Sequence, residues 1–237
     1  MFKIVLDAGH YINTPGKRCL KSIDPNETRE WWLNNRICEK VEEKLKAYDG
    51  YSLLRVDDTT GKTEVTLAER VRKANNYGAN FYLSVHHNAG VSGGSGGGII
   101  SIAYTKASQK SKDYQKIIYD ELIKETRLKG NRSDPTPLQN LYVCRETTMP
   151  AVLVECGFMD SKTDTPIILT ETFAENCANA LVTSLVKIGN LKKKASESVD
   201  TGTKKIYRVQ VGAYSVKANA EAIAKQLKAD GYDAIIV

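Results

Sequence analysis

No apolar run in this sequence approaches the ~20 residues that a membrane-spanning helix needs, so no such span is expected. Cysteine is sparse and ill placed for pairing. The five cysteines (Cys19, Cys38, Cys144, Cys156 and Cys177) are odd in number and scattered, with no CxxC pair, which excludes a disulfide framework and a thiolate zinc site. No targeting leader is expected either. Residues 2 to 7 enter an apolar strand directly, without a basic segment, an apolar h-region or a small-residue cleavage site. The expectation is cytoplasmic synthesis without conventional secretion. The glycine run Gly93-Gly-Ser-Gly-Gly-Gly98 lacks the following Lys and Ser/Thr of a phosphate-cradling loop and reads as a mobile rim loop. Only three histidines occur, and each stands at the end of a strand-like run.

What is present is ordinary for a globular protein: 237 residues, 41% apolar and 26% charged, with net charge +6. Residues 190 to 237 hold 9 Lys or Arg against 5 Asp or Glu, so the excess is concentrated in the tail. Such a tail suits an anionic polymer or serves as a solubilising linker. Charge alone leaves nucleic acid and an acidic cell wall both open as that polymer.

Apolar runs at 2–7, 51–56, 81–85, 99–104, 141–143 and 151–155 read as strands. They alternate with helical periodicity at 28–47 (Leu33, Ile37, Val41, Leu45), 64–77, 108–128 and 171–188. That alternation predicts an α/β fold, a mostly parallel twisted sheet flanked by helices on both faces. We place this domain at residues 1–190. A linker at 191–205 follows, poor in apolar residues, then a small β-α-β module at 206–237 with a helix at 218–228. About 32 residues bury too little surface to stand alone.

Three strand ends carry polar groups suited to chemistry. Asp7-Ala-Gly-His10 leaves the first strand, His86-His-Asn88 the strand at 81–85, and Glu155 ends the apolar run Ala151-Val-Leu-Val. Carboxyl ends of parallel strands converge on one crevice, where open α/β sheets bind ligands. A carboxylate in an apolar run is costly unless it is paired, protonated or facing a wet cleft. His10, His86 and Glu30 would make a His2Glu set for a hydrolytic zinc ion. Spacing alone does not choose His86 over His87, since neighbours on a strand face opposite ways. Nor does it choose Glu30 over Glu27 or Glu39. Glu30 also has an ordinary reading, as an acid in the first turn of a helix.

Five motifs in order resemble one family: Asp7-Ala-Gly-His10, Glu30 with Asn34, Leu67-Ala-Glu-Arg70 with Ala74-Asn75, Ser84-Val-His-His-Asn-Ala89, and Met149-Pro-Ala-Val-Leu-Val-Glu-Cys-Gly-Phe158. Together they are similar to the zinc-dependent N-acetylmuramoyl-L-alanine amidases of the Amidase_3 type, found in bacterial wall remodelling and phage endolysins. The resemblance spans about residues 1 to 190. It implies metal ligands at His10, Glu30 and His86 rather than His87, a catalytic glutamate at Glu155, Zn2+ as cofactor and peptidoglycan as substrate. Ala8 stands where the family more often has proline. The implied reaction is metal-assisted hydrolysis of the amide between N-acetylmuramic acid and L-alanine, with Glu155 moving the proton. Asn88 is then assigned to support of the ligands or contact with substrate. Arg145 is assigned to the acidic stem peptide, or to a surface salt bridge.

The tail resembles part of a SPOR domain, a sporulation-related module that binds glycan strands lacking stem peptides. The residues are Tyr207-Arg-Val-Gln-Val-Gly-Ala-Tyr214, Ala218-Asn-Ala220 and Gly231-Tyr232. The family module has two β-α-β halves and one is visible here, which implies that two tails combine in a homodimer. The reading is a murein amidase acting on the cell wall after release, as a phage endolysin or a sporulation autolysin does. Two alternatives stand beside it: a zinc peptidase cutting the stem peptide, and an inactive wall-binding protein; a nucleic-acid role ranks lower, since Tyr207 and Tyr214 more readily pack or bind sugar than stack on bases.

Overall fold

A computed structural model describes residues 1–194, 212–232 and 234–236. The chain divides into two compact units, Met1–Lys194 and Ala195–Val237. In the first unit the strands are β1 (Phe2–Ala8), β2 (Tyr48–Asp49), β3 (Tyr51–Arg55), β4 (Phe81–Asn88), β5 (Ile99–Tyr104), β6 (Leu138–Gln139), β7 (Ala151–Phe158) and β8 (Lys192–Lys193). The helices are α1 (Glu30–Leu45), α2 (Leu67–Tyr77), α3 (Gln109–Thr126), α4 (Tyr142–Glu146), α5 (Thr165–Ile168) and α6 (Glu171–Gly189).

Six strands form one sheet in the order β3-β1-β4-β7-β5-β6, an α/β arrangement with helices on both faces. β3, β1, β4 and β7 are mutually parallel, whereas β5 runs antiparallel to β7. The reversal has a local cause. No helix separates β4 from β5, and a direct loop returns the chain antiparallel where a parallel crossover would need a dozen or more residues.

Alternate residues of each strand enter two cores. Ile4, Leu6, Leu83 and Val154 pack under α1, α3 and α6. Val5, Tyr82 and Leu153 pack under α2 and α4. The helix starts are set by side-chain caps: Thr66 accepts from Glu69 N, Ser108 from Ser111 N and Thr170 from Phe173 N. Helix α2 ends at Gly78 in the left-handed conformation.

Three sequence expectations are corrected. The run 141–143 is not a strand; three apolar residues are too few to fix a period, and they open the short helix α4. The stretch 191–194 is not linker, because β8 pairs antiparallel with β2 and Leu191 is buried. The glycine-rich loop is pinned rather than loose. Asp160 Oδ2 accepts from the backbone N–H of Gly90, Val91 and Ser92 at 2.7 to 2.9 Å. Asp164 Oδ2 accepts from Gly98 N at 2.7 Å, and Thr163 Oγ1 from Gly96 N at 2.9 Å.

In the second unit, α7 (Lys217–Ala229) covers the expected tail helix. Of the two expected tail strands, residues 206–211 lie outside the described residues, and the described residues among 232–237 form no strand.

Candidate metal centre and catalytic carboxylate

Parallel order brings three chain segments to one edge. β1 delivers His10, β4 delivers His86, and β7, the next strand along, delivers Glu155. His86 and Glu155 are direct partners in the β4–β7 register. Glu30 opens α1, which packs over β1 and β4.

His10, Glu30 and His86 each offer a donor atom, and these atoms lie within 4.8 Å of one another. His10 Nε2 is 3.3 Å and His86 Nδ1 is 3.1 Å from Glu30 Oε1. The two imidazoles meet edge to face, 4.9 Å between centroids. Glu30 is 0% exposed, and its Oε2 makes no hydrogen bond. A buried carboxylate with a bare oxygen beside two imidazoles is the donor set of a borderline-soft dication such as zinc, and the residues fit one. The competing acids are engaged elsewhere: Glu27 pairs with Arg18 at 3.2 Å, and Glu39 accepts from Asn35 at 2.9 Å.

Close packing fixes the two rings. The His86 ring lies against Gly9, where an added Cβ would come within 2.4 Å of three ring atoms. His10 itself takes a left-handed backbone, φ 68°, which a non-glycine residue adopts only when its surroundings hold it there. Arg70, on the buried side of α2, supplies the hold. It donates to Asp7 Oδ1, to the Ala8 carbonyl at 2.7 Å and to the His10 carbonyl at 2.7 Å. Asp7 also accepts from Tyr82 at 2.9 Å and Ser84 at 2.7 Å. No role for this network was assigned from sequence. The available signal was an acid and a base each at a core position: Asp7 within β1, and Arg70 one turn before buried Ala74.

His87 points away from the donors into the interior, where it is 2% exposed. Its Nδ1 lies 2.8 Å from Asn34 Oδ1, and Asn34 Nδ2 donates to the Gly9 carbonyl at 3.1 Å. The backbone N–H of His87 donates to Glu30 Oε1 at 3.3 Å. His87 therefore braces the donors from behind. Burial pushes its pKa down to about 3, so it stays neutral.

The acids of the site are driven apart. Burial opposes ionisation of Glu30, but the hydrogen bonds and charges of His10 and His86 outweigh it and hold the carboxyl well below its usual range. Glu155 lacks such partners. Burial pushes its carboxyl up to about 7, against the pull of His86, and its Oε2 has no hydrogen-bond partner. An acid poised near neutrality with a bare oxygen suits proton transfer.

A cleft of about 340 Å³ opens beside His10 and His86, walled by Tyr11, Val65, Leu67, Leu141 and Tyr142. Neither Asn88 nor Arg145 lines it. Asn88 Oδ1 accepts from Ala89 N at 2.8 Å. Arg145 pairs with Glu146 at 2.6 Å, donates to Asn140 at 2.8 Å and stacks over Tyr142, so its contacts support the surface ion pair of its two readings.

Residues 4–187 match the family model described as N-acetylmuramoyl-L-alanine amidase, and residues 178–237 match that of the SPOR domain. A sporulation-specific N-acetylmuramoyl-L-alanine amidase of Bacillus subtilis is 34% identical over 238 residues, covering 100% of this chain and 85% of that protein. An endolysin of Bacillus phage SPP1 is 31% identical, covering 84% of this chain and 70% of that one. Among solved structures, the catalytic domain of an N-acetylmuramoyl-L-alanine amidase from Bacillus (Paenibacillus) polymyxa aligns with TM-score 0.71 at 25% identity, covering 81% of this chain and 100% of that domain. An amidase from Clostridium difficile 630 aligns with TM-score 0.70 at 25% identity, over 78% and 95% of the two chains.

Proposed function

The chain belongs to the N-acetylmuramoyl-L-alanine amidase family and hydrolyses the amide between N-acetylmuramic acid and L-alanine in peptidoglycan, and we propose that it does so with zinc held by His10, Glu30 and His86 and with Glu155 carrying the proton. The observation that supports this reading most is the three-donor cluster around a buried, half-bonded carboxylate, with a second carboxylate raised to about 7 beside it. Zinc there supplies Lewis acidity, which acidifies a water and polarises a carbonyl.

The chain's own residues do the rest. Glu155 Oε2 accepts the proton of the attacking water and returns it to the nitrogen of the departing L-alanine. Gly9 and Arg70 hold the two imidazoles in place, and His87 with Asn34 braces Glu30 and the Gly9 carbonyl. The aromatic and aliphatic walls of the cleft beside His10 would shield that side from bulk water once substrate fills it. The SPOR-like tail is proposed to keep the enzyme on glycan, as in the sequence reading.

Among the described residues no helix is long and apolar enough to cross a membrane. Mass spectrometry of digested murein tests the proposal. Wild type should yield new L-alanine amino termini beside intact muramic acid, and the Glu155→Gln variant should yield none while keeping its zinc. Cuts inside the stem peptide would point to a peptidase instead.

A further inference from the structure

The two faces of the sheet offer very different flanks to a substrate at its carboxyl edge. On the α2–α4 face lies the cleft of Tyr11, Val65, Leu141 and Tyr142. Among the described residues, its Arg70 is committed to Asp7 and to backbone carbonyls, Arg145, stacked on the wall residue Tyr142, is paired with Glu146, and Glu64 adds an exposed carboxylate. That flank offers a substrate anion no uncommitted cation.

On the α1 face lies Lys17. Its backbone carbonyl accepts from Glu30 N at 3.1 Å, which ties the loop to the start of α1. Its ammonium is 3.7 Å from Glu30 Oε2, with the side chain 44% exposed. The charge reaches His10 and Glu155 as well. Among the described residues it is the lysine or arginine that ion-pairs with the three donors. Neighbouring Arg18 is taken by Glu27. A cation bound by the donors claims the charge of Glu30, and the partly exposed ammonium of Lys17 is then left without an acid of its own.

We infer that Lys17 reads a carboxylate of the stem peptide, so that substrate straddles the sheet edge with its peptide on the α1 flank and its muramoyl end over the cleft. The inference rests on the proposed reading of the site. It follows from the chemistry of the two ends: a sugar with its lactyl ether is neutral and has apolar ring faces suited to tyrosine, whereas the stem peptide carries carboxylates.

Calorimetric binding to the zinc-loaded Glu155→Gln protein separates the terms, because nothing is turned over. The probes are N-acetylmuramoyl-L-alanyl-D-glutamate and its diamide. The free acid should bind about tenfold more tightly than the diamide, the size of one charge-assisted hydrogen bond. Adding Lys17→Met should abolish that preference, and Lys17→Arg should retain it, with zinc content and Tm unchanged in both. A preference that survives Lys17→Met overturns the inference, as does no preference in the parent, or an equal loss for both probes. Failure of the underlying site reading shows separately, as absence of zinc from the wild-type protein.

Discussion

His86 and Glu155 face each other as register partners on adjacent parallel strands, one proposed to hold the metal and the other to move the proton. The proton that burial keeps on Glu155 explains why a carboxylate is tolerated at the end of an apolar strand. It also gives Glu155 two measurable pH signatures. A base must be deprotonated, so kcat/KM should rise with pH on an acid limb at or below about 7, since a bound dication lowers the Glu155 value further.

The second signature is in stability. A carboxyl raised from 4.5 unfolded to about 7 folded keeps its proton in the native state while the unfolded chain loses it. Native stability therefore falls as pH climbs from 4.5 to 7, then levels off. Metal-free Glu155→Gln escapes that loss. It should match metal-free wild type near pH 4 and exceed it above pH 7 by up to about 3 kcal/mol in denaturant titrations.

Gly9→Ala should displace the His86 ring, because the new methyl has no room beside it. Zinc affinity should drop by more than about 100-fold while the helical circular dichroism stays, since the cost falls on a ligand rather than on the core. Competition with a chromogenic chelator reads it directly.

Arg70→Met should leave Asp7 buried without its cation, at a cost of about 3–5 kcal/mol. It should also loosen the His10 backbone, which loses the donor to its carbonyl. Arg70→Lys restores charge but not the fork, so it should recover part of the Tm and little of the zinc affinity. Thermal scans with and without zinc distinguish the two losses.

Asn34→Ala should weaken zinc binding by roughly 10- to 100-fold, the usual effect of removing a group that orients a ligand. It leaves the donors intact and releases the His87 ring and the Gly9 carbonyl. A smaller fall than that, measured by the same competition, would leave the His87 brace without a role.

Much of the sheet was legible because strands and helices alternate, and burial on both faces makes β1, β4, β5 and β7 largely apolar runs. The direction of β5 was not, since an apolar run carries no sign; what turns it is the absence of a helix before it. The histidine donors and Glu155 were legible as polar groups at strand ends, yet spacing did not separate Glu30, at a helix start, from Glu27 and Glu39, and it left His86 and His87 equal. Their difference is which face of β4 each ring takes, and that is fixed by Gly9 on one side and Asn34 on the other. The pinned glycine loop escaped notice because its anchors, Asp160 and Asp164, come some seventy residues later. Lys17 was hidden for the opposite reason. It sits in a loop without periodicity, and only the fold brings that loop against the start of α1.

The most direct test is anomalous diffraction at the zinc edge from crystals grown with the metal. One site is expected, within about 2.0–2.2 Å of a nitrogen of His10, a nitrogen of His86 and an oxygen of Glu30, with Glu155 outside the ligand shell. A zinc peak elsewhere, or one that includes Glu155 and omits Glu30, would contradict the account.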